Sequence, residues 1–75
     1  MKADVHKLKT RIYDRGLSQS ALAKKIGIDR WTLNSRFKHE GETFRLGEIY
    51  AITDVLELSG EEIIEIFFCD SKKKI

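Results

Sequence analysis

A chain of 75 residues with one cysteine, no proline and a formal charge of +2 has room for one small domain with a single core and for no internal disulfide. No apolar run approaches the roughly 20 residues that a bilayer span requires, and the N-terminus carries no long apolar segment. A membrane role and export are therefore not expected, and a cytoplasmic protein is the default. In chain order, Asp4 before Val5, Leu8 and Ile12 opens a first helix that Gly16 closes. Ser18 is a good N-cap for a second helix, in which Leu22, Ala23 and Ile26 form an apolar face, and Gly27 stops it. Asp29 caps a third helix whose inward stripe is Leu33 and Phe37. Phe44 and Ile49 flank the start of a fourth helix around Arg45, a poor N-cap where Ser or Thr is expected. Ser59-Gly60-Glu61-Glu62 is a capping box that starts a fifth.

The same grammar marks four of these starts, because an apolar residue before the cap pairs with the fourth helical residue. Leu17 pairs with Leu22, Ile28 with Leu33, Phe44 with Ile49 and Leu58 with Ile63. The spacing predicts helices over about residues 4 to 15, 18 to 26, 30 to 38, 46 to 57 and 60 to 68, with no convincing strand. The fold class is therefore all-α, with a core of Val5, Leu8, Ile12, Leu22, Ile26, Leu33, Phe37, Ile49, Ile52, Leu56, Ile63 and Phe67. A core of that size gives modest stability.

Residues 17 to 38, LSQSALAKKIGIDRWTLNSRFK, carry the functional signal. A helix that packs on the domain, a Gly turn and a second helix with a polar face make up a helix-turn-helix, whose second helix enters the DNA major groove. With Leu33 and Phe37 inward, Arg30, Trp31, Asn34, Ser35 and Lys38 turn toward solvent or a groove. A lone Trp is usually core, but residue 31 lies about 200 degrees from residue 33 around the helix, so one face does not bury both. Asn34 lies between the core and groove faces, and both placements stay open. The charge is divided: residues 1 to 39 hold six Lys and four Arg against three Asp, whereas residues 40 to 75 hold three Lys and one Arg against seven Glu and two Asp. A basic half coincident with the helix-turn-helix supplies phosphate attraction, and the acidic half is expected to face away. Lys24 and Lys25 alone read as a solvated charged face.

The segment LSQSALAKKIGIDRWTLNSRF resembles the motif of the lambda-repressor-like and Cro-like group, with Ser and Gln opening the first helix, Leu-Ala within it and Gly at its end. FRLGEIYAITDVLELSGEEIIEIFF is similar to the fourth and fifth helices of small phage-encoded Cro-like repressors, so the likeness covers about residues 5 to 68. It implies a five-helix lambda-repressor-like domain, placed over residues 1 to 70; the basic stretch 71 to 75, with Lys72, Lys73 and Lys74, reads from its residues as a frayed tail, the alternative being a weak nonspecific contact with nucleic acid. The resemblance further implies a dimer on a pseudo-palindromic double-stranded DNA operator in a bacterial or phage-infected cell. Gln19 corresponds to a phosphate-anchoring glutamine at a helix start, and Arg30 and Trp31 stand where members of the group reach base edges. Arg suits guanine O6 and N7, Trp a thymine methyl, and Asn34 an adenine; Ser35 is the next reader, one turn on. Lys38 and Arg45 are the remaining phosphate candidates. One departure stands out: Arg36 occupies a position that is apolar in many members, and the aromatic Phe37 follows it.

Dimerisation is assigned to the fifth helix. There Ile63, Ile66 and Phe67 cover one face, while Ile64 and Phe68, four apart, project onto a neighbouring one. The alternative for Ile64 is a helix buried all round. No Gly-rich phosphate loop, nucleophile pair or metal spacing is present, and His6, His39 and Cys69 are isolated in the sequence. No catalytic residue, metal, cofactor or small-molecule substrate is expected. The competing functional classes are an antitoxin or antirepressor that turns the same fold against a protein, and an architectural DNA binder with little sequence preference.

Overall fold

The computed structural model describes residues 2–68; Cys69 and the lysine-rich tail lie outside them. Five helices follow in order: α1 (Val5–Asp14), α2 (Gln19–Ile26), α3 (Arg30–Lys38), α4 (Leu46–Leu56) and α5 (Gly60–Phe67). Each expected boundary falls within a residue or so of the observed one, because the local caps form. Asp4 Oδ1 accepts the Lys7 amide at 3.1 Å, Ser18 Oγ accepts Ala21 N–H at 3.1 Å, and Asp29 Oδ1 accepts Thr32 N–H at 2.7 Å. In α5 the capping box closes in both directions, Ser59 N–H to Glu62 Oε1 at 2.9 Å and Glu62 N–H to Ser59 Oγ at 3.1 Å. Gly27 ends α2 in the left-handed region at φ 85°, a conformation that costs an L side chain about 1 kcal/mol or more.

α2 packs against α3 and α4, and α1 against α2 and α5. Leu8, Leu22, Leu33, Ile52, Leu56 and Phe67 are wholly buried at the centre. Three expected core residues, Val5, Ile26 and Ile63, are only partly buried and pack against the core; Val5 and Ile26 are the first residue of α1 and the last of α2. The core also takes Ala3, Ala23, Leu58 and Ile66. Ala3 is buried because the segment before α1 is tied at both sides, with Ala3 N–H donating to Glu40 O at 2.8 Å and Asp4 N–H to Ile66 O at 2.6 Å. Phe44, expected only to staple α4, also bridges Phe37 and Phe67 edge to face, with ring centroids 6.2 Å apart on each side. The far end of α3 is thus fastened to α5.

Candidate nucleic-acid interface

α3 has two sides of opposite character. Leu33 and Phe37 are buried, whereas Arg30, Trp31, Asn34 and Lys38 are exposed and Ser35 is half-exposed. Trp31 keeps 81% of its surface open, so this core makes no use of its indole. Asn34, left open between two faces by the sequence, lies on the outer one. Two adjoining shallow depressions follow the helix, one lined by Asp29, Arg30, Trp31 and Asn34 and the next by Trp31, Asn34, Ser35 and Lys38. The five side chains singled out by sequence therefore form one continuous strip. At its start the Asp29 carboxyl is held below the usual carboxylate range, chiefly by the Thr32 backbone amide that it caps.

The two remaining candidates, Gln19 and Arg45, stand at other helix starts and do not line the depressions of α3. Gln19 is the first residue of α2, half-buried beside Lys9, Ile12, Tyr13 and Leu17. Arg45 is the exposed N-cap residue of α4 and makes no side-chain cap bond, as an arginine has no acceptor to offer. Its backbone N–H donates instead to Glu48 Oε1 at 3.0 Å. Half of a capping box is thereby kept, and the guanidinium stays available to a phosphate.

Not all of the basic half is available in this way. Arg11 Nε donates to Glu62 Oε2 at 2.7 Å, and Arg15 Nε caps the end of α4 through Leu56 O at 2.7 Å. Arg36 binds Glu48 at two points, Nε to Oε1 at 3.0 Å and Nη2 to Oε2 at 3.1 Å. Three of the four arginines before residue 40 are thus internal fasteners, and the acidic half does not face wholly away. Among the described residues Lys24, Lys25, Arg30, Lys38 and Arg45 form no ion pair within 4 Å. Of these, Lys24 and Lys25 lie on α2, Arg30 and Lys38 on α3 and Arg45 at the start of α4; Lys9 of α1 also lies outside the ion pairs and stands 5.4 Å from the centre of the Phe37 ring.

Ile64 of α5 and Phe68, which follows that helix, are exposed at 51% and 42%, so neither is a wholly buried core side chain. Sequence reasoning missed three further exposed apolar residues, Tyr13, Leu46 and Tyr50. It also missed the partner of Arg36, which stands 12 residues away and on another helix. The unusual residue type at position 36 was the only available signal. Among the described residues no group of three or more His, Cys, Asp or Glu is placed to hold a metal, and no helix is long and apolar enough to cross a membrane.

With this geometry in place, comparison with known proteins adds one match: the family described as Cro/C1-type HTH DNA-binding domain covers residues 7–68. No curated protein and no solved structure matches the chain.

Proposed function

Because the chain belongs to the Cro/C1-type HTH DNA-binding domain family, we propose that it is a phage-type, Cro-like transcriptional repressor that reads a pseudo-palindromic operator as a homodimer. The observation that carries this reading is the exposed strip of α3, in which Arg30, Trp31, Asn34, Ser35 and Lys38 lie together while Leu33 and Phe37 hold the opposite side in the core. Arg30 donates to a guanine edge, Trp31 covers a thymine methyl, and Asn34 and Ser35 read the following bases. Gln19, Lys38 and Arg45 hold the backbone on either side and set the register. Ile64 and Phe68 supply a patch that, paired with itself about a two-fold axis, sets two copies of α3 about 34 Å apart, one turn of DNA. The protein then acts in the cytoplasm of a bacterial or phage-infected cell, without catalysis, cofactor or small-molecule substrate.

Selection of bound sites from a random duplex library tests this directly. A consensus of two inverted half-sites, bound by two chains, is the expected outcome. Binding without a consensus would mark an architectural protein, and no binding would point to a protein target of the antitoxin or antirepressor kind.

A further inference from the structure

Arg36 lies on the helix assigned to base reading yet does not belong to its outer strip: its side chain is 18% exposed, and that of its partner Glu48 is 11% exposed. One carboxylate there gathers three donors. Arg36 supplies Nε and Nη2 at 3.0 and 3.1 Å, and the Arg45 backbone supplies its N–H at 3.0 Å. We infer that the Arg36–Glu48 pair is a positioning device that sets the roll of α3 against α4, so that the base-reading strip and the Arg45 phosphate clamp meet DNA as one rigid unit. The inference rests on the DNA-reading face assigned above.

Three observations support it. The apolar stripe of α3 consists of only two buried residues, Leu33 and Phe37, and such a narrow seam restrains rotation about the helix axis weakly. A planar guanidinium bound at two points fixes orientation as well as distance, which a single contact does not. The geometry is also sensitive to small turns: at about 6 Å from the axis, a roll of about 20° displaces a side chain by about 2 Å, enough to break a base-edge hydrogen bond. Burial by itself would push the Glu48 carboxyl up, but the bonds from Arg36 and the Arg45 amide outweigh it and hold the group below its ordinary range. The bridge is therefore fully charged wherever the protein is folded near neutral pH.

A half-buried ion pair adds little net stability when both partners are replaced together, whereas it restricts geometry strongly. That separates positioning from plain support. Arg36→Met keeps the methylene packing, and Glu48→Gln keeps an amide oxygen for the Arg45 N–H. The two single variants and the double variant are compared with the wild-type chain by site selection, by affinity for the selected and random duplexes across a salt series, and by residual dipolar couplings of the free protein.

For Arg36→Met and the double variant the ratio of specific to random affinity is expected to fall about tenfold, the scale of one lost base contact. Preference should blur at several positions at once, the salt slope should stay unchanged, and the couplings should report α3 turned or averaged relative to α4. An unchanged consensus with an unchanged α3 orientation overturns the inference. So does a log-log salt slope lower by about 0.9, since Arg36 would then be a phosphate contact. Should Arg36→Met lose its helix content, Glu48→Gln carries the same comparison with its cap intact. If even the wild-type chain selects no site, the base-reading assignment fails, and the couplings alone still decide whether the pair sets the roll.

Discussion

Gly41 and Ala3 are packed so closely that a Cβ built on Gly41 would lie 2.5 Å from the Ala3 Cβ. The glycine also sits at φ 76°, in the left-handed region. Two separate restrictions thus act on one residue in the turn that carries the chain from α3 toward α4. Gly41→Ala is expected to destabilise the domain by about 2–4 kcal/mol, combining left-handed backbone strain with overpacking. Gly27→Ala is the control, because Gly27 has φ 85° but nothing within 4 Å of its would-be Cβ; it should lose only the backbone part, about 1–2 kcal/mol. Denaturant melts of both variants check this, and Ala3→Gly added to Gly41→Ala should recover much of the difference. Equal losses for the two single variants would show that the contact with Ala3 costs nothing.

The base-reading and phosphate-holding candidates should separate under mutation. Arg30→Ala is expected to relax preference at one operator position and cost about 1–3 kcal/mol on the selected site, with Ser35→Ala costing less. Trp31→Ala should cancel the penalty that a thymine-to-uracil change brings to the wild-type complex, as the two alterations remove the same contact from opposite sides. Lys38→Ala and Arg45→Ala should weaken binding to all sequences alike and lower the log-log salt slope by about 0.9 each. Titrations on selected and random duplexes across a salt series distinguish the groups; an equal loss on both duplexes for Arg30→Ala counts against base reading.

Acid should unfold this domain through its carboxylates. Glu48, Asp29 and Glu62 all have carboxyls held below their ordinary range. For Glu48 the hydrogen bonds and charges of Arg36 and Arg45 outweigh burial; for Asp29 the main cause is the Thr32 amide and for Glu62 the Ser59 amide, aided by Arg11. A depressed folded-state pKa means that the unfolded chain takes up protons first as pH falls. The stabilisation is therefore complete above about pH 5 and is lost through about pH 4 and below, as the medium passes the unfolded and then the folded values. Thermal melts from pH 7 to pH 3 should show a plateau and then a fall. In Glu48→Gln the fall should be shallower, and an unaltered profile would remove Glu48 from the acid transition.

The α-helical plan was legible because its signals are local. Ser18, Asp29 and Ser59 each satisfy an amide three residues on, and an amphipathic stripe repeats every three or four residues. The outer placement of Trp31 followed from the same periodicity, since Leu33 and Phe37 fix the inner side of α3. What was not legible depends on contacts between distant segments. Ala3 is core only because Glu40 and Ile66 hold the chain before α1, and Phe44 reaches Phe67 across 23 positions of sequence. The divided charge misled in part for the same reason: Arg11, Arg15 and Arg36 are fastened to α5 and α4 by partners that no local spacing reveals.

Ile64 on α5 and Phe68 just after it remain about half exposed. Two large apolar side chains exposed within one helical turn of each other form a patch that a second copy would cover in the proposed dimer. Replacing both with Asp should leave a folded chain that sediments as a monomer. Its affinity for a full palindromic site should drop by orders of magnitude, because two half-site contacts no longer form as one linked event. Binding to an isolated half-site should stay nearly unchanged, as α3 and the start of α4 are untouched. Helix content, sedimentation and operator binding are to be measured on the same preparation. Loss of helix content would place the two side chains in the core's support, whereas a folded variant with wild-type mass and operator affinity would move the dimer contact elsewhere, with Leu46 and Tyr50 on α4 the next exposed pair to alter.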